Sequence, residues 1–419
     1  MEQRVKFKEA EIGKIPEDWE IKTLGDVSVN FDNKRIPLSS RERNKRKGIY
    51  PYYGAQGIID YIDAYIFDGE FLLIAEDGEN LKSRKNGIAF IAKGKFWVNN
   101  HAHIIKNTSK SNLGYLCYQI NYTDITSYIT GSAQPKLNQK SLNEIIIKLP
   151  SIDEQNYITA VLSSLDSKIK LNQQMNKTLE TIGQAIFKRW FIDFEFPNEE
   201  GKPYKSSGGE MADSELGEIP KGWIINIIGD IVTVKGGATP STKVPSYWEG
   251  GTINWCTPKD LSMISVPVLI DTDRKITKEG LATISSGLLP KGTLLLSSRA
   301  PIGYLAISSI PISINQGFIG ILCDRNVSNF YMLGWIKQNL EIIKNMANGS
   351  TFQEINKSSF KQIPIVVPPK EIIQPFDVIM DQLYSKVLLN EKQSKILSEI
   401  RDSLLPKLMS GKIRVKVTG

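Results

Sequence analysis

The chain has little of the chemistry that disulfide frameworks and metal sites need. Its 419 residues include three cysteines, Cys117, Cys256 and Cys323, and two histidines, His101 and His103. The cysteines are scattered without a CxxC spacing, so neither a disulfide framework nor a zinc site is indicated. The His-x-His pair has no third ligand near it in the sequence, which leaves metal binding as a minor alternative.

Long apolar runs are also missing. No run reaches the roughly 18 residues that a membrane-spanning helix requires, and the start, MEQRVKFKEAEIG, lacks the apolar core of a signal peptide. We therefore expect a cytoplasmic protein without membrane contact. Hydrophobic residues make up 41% of the chain and charged residues 23%, as in ordinary globular proteins. The length suffices for two or three domains.

Catalytic motifs are the third absence. The sequence has no G-x-x-x-x-G-K-[ST] phosphate loop and no [DNS]-P-P-[YFW] tetrad of the kind that grips an extruded base. Glu200-Gly201-Lys202, downstream of Asp193, imitates a nuclease E-x-K, but it lies in a segment that we expect to be a flexible linker. We therefore expect no catalytic residues, and binding rather than catalysis.

Two long segments with the same apolar pattern are present, Ile152–Phe191 and Lys370–Met409. Their apolar residues recur at spacings of three and four, which predicts one stripe along a long helix in each. The stripes consist of Leu165, Ile169, Leu179, Ile182, Ile186 and Trp190, and of Leu383, Val387, Leu397, Ile400, Leu404 and Leu408. Asn172 and Asn390 interrupt them, as a register-fixing asparagine interrupts a coiled-coil seam. We expect the helices to pack together as a spacer; the alternative is that each packs on its own domain.

Two further segments repeat, so the chain is a tandem duplication. IGKIPEDWEIKTLGD at 12–26 returns as LGEIPKGWIINIIGD at 216–230, and GSAQPKLNQKSLNEIIIKLP at 131–150 faces GSTFQEINKSSFKQIPIVVP at 349–368. A unit of this size is typical of tandem domains rather than of a solenoid. The predicted boundaries are a first domain over 1–150, a first helical spacer over 151–195, a linker over 196–213, a second domain over 214–368 and a second spacer over 369–412.

Each half mixes strands and helices. The predicted strands lie at 71–75, 88–92 and 103–106 in the first half and at 293–297, 304–308 and 318–322 in the second. A helix follows in each half, over Leu113–Tyr122 and Tyr331–Met346. The predicted fold class is therefore α+β, with two domains of similar fold and a long helix after each.

The first half contains the densest positive charge in a chain of net charge +7. Its cations are Lys34, Arg35, Arg41, Arg43, Lys45, Arg46 and Lys47. The plain alternative is a solvated loop, but aromatic and amide groups follow closely, as phosphate anchoring with base contact requires. These are Tyr52 and Tyr53 in YPYYGAQG, and Asn99, Asn100, His101 and His103 in NNHAH.

Comparable polar sets occur in the second half, each weak by itself. Their glycines allow close approach of the backbone to a phosphate, and an arginine can reach a guanine edge or a phosphate. The candidates are Lys235, Thr239 and Ser241 in KGGATPS, WCTPKD at 255–260, Ser298 and Arg299 in SSR, and Asn315 and Gln316 in NQG. The alternative is that they are turns with capping residues.

The motifs, in their order, resemble the specificity subunit of Type I restriction-modification systems. The resemblance runs from IPEDW to the terminal LLPKLMSGKIRV. It is carried by YPYYGAQGIIDYIDAYIFDGEFLLIAEDGENL and NNHAHIIK in the first half. IFKRWFIDFEFP, SELGEIPKGW, LLSSRAPIGYLAI and NQGF carry it from there onward.

The resemblance implies a subunit without activity of its own. It implies two target-recognition domains, inverted relative to one another and separated by two antiparallel helices, that read a bipartite asymmetric target in double-stranded DNA. The implied partners are two methyltransferase subunits and two translocase-nuclease restriction subunits. S-adenosylmethionine, ATP and magnesium would be bound by those partners, and no cofactor or metal by this subunit.

Three other functions stay open at this point. The chain is alternatively a degenerate DNA methyltransferase or nuclease, the DNA-binding partner of a single-chain methyltransferase-nuclease, or an RNA-binding protein. Neither the bases recognised nor the spacer length follows from the residues.

Overall fold

The computed structural model describes residues 6–10, 13–131, 134–299, 301–347 and 353–414. Contacts divide the chain into two units, Met1–Lys168 with Ile396–Gly419, and Ile169–Lys395. Gly349 and Ser350, the first two residues of the repeated segment 349–368, lie outside the described residues. Among the helices described, none is both long and apolar enough to cross a membrane.

The described residues of the first unit form ten strands and five short α-helices. The strands are β1 (Phe7–Lys8), β2 (Ile15–Pro16), β3 (Glu20–Thr23), β4 (Ser28–Asn30), β5 (Lys47–Gly54), β6 (Gly57–Ile62), β7 (Phe67–Ala75), β8 (Ala89–Val98), β9 (Ala102–Asn107) and β10 (Ile146–Leu149). The helices are α1 (Leu24–Val27), α2 (Ser40–Lys45), α3 (Asn80–Ser83), α4 (Leu113–Tyr122) and α5 (Gln139–Glu144). The three predicted strands and the predicted helix at 113–122 are confirmed.

A six-stranded sheet in the order β4-β9-β7-β8-β5-β6 forms the first domain. Strand β7 is antiparallel to β8 and β9, and β5 runs parallel to β8 with Tyr52 opposite Trp97. Successive side chains of β7 point to opposite faces. Leu72 and Ile74 therefore join one core and Phe71 and Leu73 another.

In the second unit, the part of the chain that the structure describes contains twelve strands and six short α-helices. The strands are β11 (Met211–Ala212), β12 (Ile219–Pro220), β13 (Ile224–Ile227), β14 (Thr233–Gly236), β15 (Ile253–Cys256), β16 (Val268–Leu269), β17 (Arg274–Ile276), β18 (Leu294–Ser297), β19 (Leu305–Ser308), β20 (Ser313–Ile314), β21 (Phe318–Leu322) and β22 (Pro364–Val367). The helices are α7 (Ile228–Ile231), α8 (Pro258–Ser262), α9 (Lys278–Ala282), α10 (Asn329–Gln338), α11 (Leu340–Asn345) and α12 (Lys357–Lys361).

A five-stranded sheet in the order β14-β21-β18-β19-β16 and a three-stranded sheet in the order β17-β15-β20 form the second domain. The three predicted strands match β18, β19 and β21. The single helix predicted over 331–346 is instead two helices, because the chain leaves the helical conformation at Asn339 between α10 and α11.

The two long helices have the predicted bounds. They are α6 (Ile152–Phe191) and α13 (Lys370–Met409), each of 40 residues, and we call them the first and second spacer helix. In the second unit they run antiparallel, since Asn172 meets Gln393 while Phe187 meets Phe376. The first spacer helix also packs in the core of the first domain through Ile158 and Leu162, and the second packs in the core of the second domain through Phe376. The two packing modes left open by the sequence therefore occur together.

A buried polar layer interrupts the seam at the two predicted asparagines. Asn172 and Asn390 are 0% and 2% exposed. Asn172 Nδ2 donates to Gln393 Oε1 at 3.0 Å, and Asn390 Nδ2 donates to Asn176 Oδ1 at 2.8 Å. A polar layer of this kind fixes helix register because a slipped pairing leaves amides buried without partners.

The rest of the seam departs from the predicted stripe at two positions. Ile182 and Ile400 are each 42% exposed. Gly183 takes the place of Ile182 and faces Met380 and Tyr384. A helix with 3.6 residues per turn drifts away from a fixed heptad stripe, which moves these two positions toward solvent.

The segment predicted as a linker is packed rather than extended. Phe196 is 4% exposed and stacks on Tyr204 at 4.6 Å and on Trp223 at 5.3 Å between ring centroids. The segment expected to be a flexible linker therefore contains a buried aromatic side chain. Its two aromatic residues lie among charged neighbours, which hid them in the composition. The domain boundaries themselves stay a prediction.

The end of the second spacer helix is tied to the start of the first domain. Arg414 donates to both Asp18 oxygens at 2.9 and 2.6 Å and to Glu154 at 2.7 Å. Trp19, which belongs to the repeated IPEDW motif, is fully buried and donates to Glu154 at 3.1 Å. The hydrogen bond and charge of Arg414 lower the pKa of Asp18 below its ordinary value of 3.8.

Substituting Arg414 with methionine is expected to destabilise the first unit in a pH-dependent way. Because the folded-state pKa of Asp18 is lowered, its ionised form contributes stability above pH 3.8, and this contribution is lost as the pH falls through the folded value. Urea unfolding of both proteins checks this. The difference between them should be largest near pH 7 and shrink below pH 4; a difference independent of pH contradicts the role of Asp18.

Candidate nucleic-acid interface

A short helix, α2, organises the basic segment of the first domain. Ser39 caps its N-terminus and accepts from the Glu42 N–H, while the Glu42 carboxylate accepts from the Ser39 N–H. This reciprocal cap explains the one acidic residue among the cations and starts the helix where the cations begin.

Three of the predicted cations are anchored within the domain. Arg43 pairs with Asp60 at 3.2 Å and lies over the Tyr52 ring, and Lys47 pairs with the same carboxylate at 2.7 Å. The hydrogen bond from Lys47, with those from the Tyr61 N–H and Arg43, lowers the pKa of Asp60. Arg46 pairs with Asp63 and lies over the Trp97 ring. Their positive charge is presented from fixed positions.

Three other predicted cations are exposed. Lys34, Arg41 and Lys45 face solvent and, within the described part of the chain, form no ion pair. Lys34 lies over the Phe31 ring at 5.1 Å. These side chains are available to a polyanion, since binding one requires no intramolecular pair to break first.

Arg35 is instead used inside the domain. Its guanidinium donates to Glu76 at 2.6 Å and to the Ala102 carbonyl at 2.9 Å, and its side chain is 15% exposed. Next to it, the buried His103 bonds Asp32 and the Leu137 carbonyl. Burial raises the pKa of Asp32, but the hydrogen bond with His103 and the nearby charges outweigh burial and leave the pKa lowered.

The two tyrosines of YPYYG have different surroundings. Tyr52 is fully buried, and its hydroxyl accepts from the Leu38 N–H at 2.9 Å. Tyr53 is half-buried between Phe90 and Phe96, and burial raises its pKa. Tyr52 therefore supports the sheet beneath Arg43, while Tyr53 borders the surface.

Four hydrogen bonds join the polar motifs of the first domain, and we call them the first frame. The Asn99 N–H donates to the Tyr53 carbonyl at 3.0 Å, and the His101 N–H donates to Asn99 Oδ1 at 2.9 Å. The Glu76 N–H donates to the His101 carbonyl at 2.9 Å, and the Leu137 N–H to the Glu76 carbonyl at 2.7 Å. These bonds bring together the motifs YPYYG and NNHAH and Leu137 of the repeated segment 131–150. Asn100 is exposed in the middle of the turn.

Four hydrogen bonds also join the polar motifs of the second domain, and these are the second frame. The Asn315 N–H donates to the Cys256 carbonyl at 3.0 Å, and the Gly317 N–H donates to Asn315 Oδ1 at 2.9 Å. The Ser298 N–H donates to the Gly317 carbonyl at 2.8 Å, and the Ile355 N–H to the Ser298 carbonyl at 3.1 Å.

The remaining second-half set lies against the second frame. Gly237 packs on the backbone of Ile314 and Asn315, where an added Cβ would lie 2.0 Å from the Ile314 oxygen, so only glycine fits. Thr239 donates to Gln316. Arg299 pairs with Glu354 at 3.4 Å. The four polar sets that looked weak separately therefore converge.

Comparison with known proteins identifies the family. The model of the Type I restriction modification DNA specificity domain matches residues 16–181 and 220–399. The chain belongs to this family. The Type I restriction enzyme MjaIX specificity subunit of Methanocaldococcus jannaschii is 28% identical, over 98% of this chain and 97% of that relative. The Type I restriction enzyme HindI specificity subunit of Haemophilus influenzae is 26% identical, over 67% and 71%.

The solved structures include a match to the same fold. The S subunit of a Type I restriction-modification system from M. genitalium superposes with a TM-score of 0.63 at 16% identity, covering 97% of this chain and 99% of that one. With the two matches of the family model, this confirms the predicted α+β fold with two similar domains and long helices.

The specificity-family fold also contains polar residues that the sequence did not single out. Arg274 stacks on Trp248 at 3.7 Å and lies 5.3 Å from the Trp255 ring. Asp77 Oδ2 lies 2.7 Å from His101 Nδ1. The Trp-rich segment around 248–255 was a usable signal for the first, whereas Asp77 precedes Gly78, and such a pair is typical of an ordinary turn. Among the described residues, no group of three or more His, Cys, Asp and Glu side chains is placed to hold a metal ion.

Of the predicted contact residues, some lie inside the domains and some at their surface. Arg35, Tyr52, Asn99, His103 and Ser298 are buried or internally bonded, and their type alone did not reveal this. Lys34, Arg41, Lys45, Asn100, Lys235, Thr239, Ser241 and Gln316 are exposed. Whether any of them contacts a nucleic acid stays a prediction.

Proposed function

We propose that this chain is the DNA-recognition subunit of a Type I restriction-modification complex and reads a bipartite, asymmetric target. The observation that carries the proposal is the duplicated frame, in which the same pattern of hydrogen bonds presents different side chains in the two domains. Two equivalent readers with different side chains fit a target made of two different half-sites.

Within each domain, the charges and the amides have separate tasks. Exposed cations such as Lys34 and Arg41 hold phosphates, which sets orientation without reading sequence. Side chains on the frames, such as Asn100 and Gln316, read base edges in the major groove. Affinity then depends on salt, and specificity on the frames.

The chemistry belongs to the partners in this proposal. Two methyltransferase subunits, bound to the spacer helices, methylate adenine with S-adenosylmethionine, and two restriction subunits cleave with ATP and magnesium. This subunit has no catalytic role and binds none of these cofactors. Purified chain that alone modifies or cuts DNA would favour a degenerate methyltransferase or nuclease instead.

The deciding experiment is methylome sequencing of a host that expresses this chain with its methyltransferase partner, beside a host that lacks this chain. Modified adenines in one bipartite motif, absent from the control, are the expected result. Modification that persists unchanged without the chain contradicts the proposal.

The spacer helices are expected to set the distance between the half-sites. At about 1.5 Å per residue, a heptad contributes roughly 10 Å of helix. Deleting one heptad from each spacer helix, outside the Asn172 and Asn390 layer, should shorten the unspecified spacer and leave both half-sites unchanged. The same methylome measurement checks it, and an altered half-site counts against this role.

A further inference from the structure

The two frames correspond bond for bond. In each frame an asparagine donates its N–H to a backbone carbonyl, and its side-chain oxygen accepts from the N–H two residues later. Each frame ends at a backbone N–H from the repeated segment, 131–150 in the first domain and 349–368 in the second. In this correspondence Asn99 matches Asn315, and Glu76 matches Ser298. The frames therefore give a residue-by-residue alignment of regions whose sequences have diverged.

The residue that follows Glu76 in the first domain and the residue that follows Ser298 in the second have opposite charges. Asp77 follows Glu76 and forms an antiparallel bridge with Lys136, whereas Arg299 follows Ser298 and forms the equivalent bridge with Glu354. The backbone geometry is the same, and both members of each pair are charged. The acidic Asp77 lies opposite a lysine in the first domain, whereas the basic Arg299 lies opposite a glutamate in the second.

Stability does not account for this inversion. The side chains of Arg299 and Glu354 are 38% and 41% exposed, and their closest approach is 3.4 Å. An exposed ion pair of this kind contributes little to folding. In the first domain the Asp77 carboxylate bonds His101, and Lys136 pairs with Glu76 at 3.3 Å rather than with Asp77. The four hydrogen bonds of each frame use none of the side chains at positions 77, 136, 299 and 354, so the fold leaves these side chains free to differ.

The pairs lie beside the exposed turn that carries the amides. The Ser298 N–H, one residue before Arg299, bonds the Gly317 carbonyl next to Gln316. In the first domain, Asp77 bonds His101, the residue after Asn100. The charged position of each domain is therefore linked through the frame to the turn that exposes Asn100 or Gln316.

We propose that positions 77 and 299 are matched specificity-determining positions, with Arg299 selecting guanine in one half-site and Asp77 selecting cytosine in the other. Arginine donates two hydrogen bonds to guanine O6 and N7, while a carboxylate accepts from cytosine N4. Glu354 orients the guanidinium for this contact. The inference rests on the proposed function, and it names the residues by which the two half-sites come to differ.

The test is methylome sequencing of a host that expresses the Arg299→Gln chain with its methyltransferase partner. Preference for guanine at one position of one half-site should fall by at least about fivefold, because a bidentate contact is lost. The other half-site should stay unchanged. Asp77→Arg combined with Lys136→Glu transplants the second pair into the first domain and should create a guanine requirement in the other half-site.

Arg325→Gln is the matched control, since it removes the same charge from an exposed position of the same unit away from the frame. Its motif should equal that of the unchanged chain. If thermal unfolding shows that Arg299→Gln is misfolded, Arg299→Lys decides, because lysine keeps the charge and lacks the planar fork.

An unchanged methylated motif in a folded Arg299 variant overturns the inference. Loss of methylation on all sequences at an unchanged unfolding temperature also overturns it, because such a loss indicates that Arg299 contacts a phosphate. The proposed function fails separately, if the unchanged chain directs no methylation at all.

Discussion

Replacing Phe376 with alanine is expected to lower the free energy of unfolding of the second unit by about 3–5 kcal/mol. Phe376 is fully buried, and its ring centroid lies 4.8 Å from Phe191 and 6.0 Å from Trp190. Alanine would leave a cavity among rigid aromatic rings that cannot collapse to fill it. Urea unfolding measures the loss, and the unfolding temperature should fall by on the order of 10 °C.

Val378→Ala is the control for this prediction. Val378 lies on the same helix and is 61% exposed, so its truncation should change stability by less than about 0.5 kcal/mol. A loss below about 1 kcal/mol for Phe376→Ala would mean that the aromatic cluster does not hold the spacer helices to the second domain. Equal losses for both substitutions would mean that the burial of Phe376 is not the source of its loss, since alanine is the better helix former at both positions.

The elements around this cluster follow from sequence because their signals are local. The bounds of both spacer helices came from the internal repeat and its apolar periodicity, and the buried Asn172 and Asn390 came from their place in the stripe. Strands such as β7 and β18 came from short β-rich runs between turn residues. Period and turn chemistry act over a few residues, so one sequence suffices to find them.

The candidate site depends on contacts between distant segments, and there the sequence was insufficient. His103 looked like a base-reading residue, but its partners Asp32 and Leu137 lie far away in the chain and bury it. Arg35 is occupied by Glu76 for the same reason. Residue type indicates what a side chain is able to bind, and only the fold determines whether that side chain faces solvent.

Neutralising the three exposed cations of the first domain is expected to weaken DNA binding without changing its sequence preference. In the Lys34→Gln, Arg41→Gln, Lys45→Gln chain, the slope of log K against log salt concentration should become less negative by about 2.7, since each lost phosphate contact contributes about 0.9. The unchanged chain should therefore lose roughly 40-fold more affinity than this variant between about 50 and 200 mM salt. Titrating labelled duplex DNA with the assembled complex at several salt concentrations measures both slopes.

The matched control replaces Lys82, Lys85 and Lys110 with glutamine. These lysines are exposed, belong to the same unit and lie outside the basic segment, so the net charge falls from +7 by the same three charges. If the control makes the slope less negative by the same amount, DNA is attracted by the positive charge of the whole surface, and the cations around α2 contribute no more than other exposed lysines. If only the first variant does so, and its methylated motif is unchanged, the segment around α2 holds phosphates and does not read bases, because only base contacts carry sequence information.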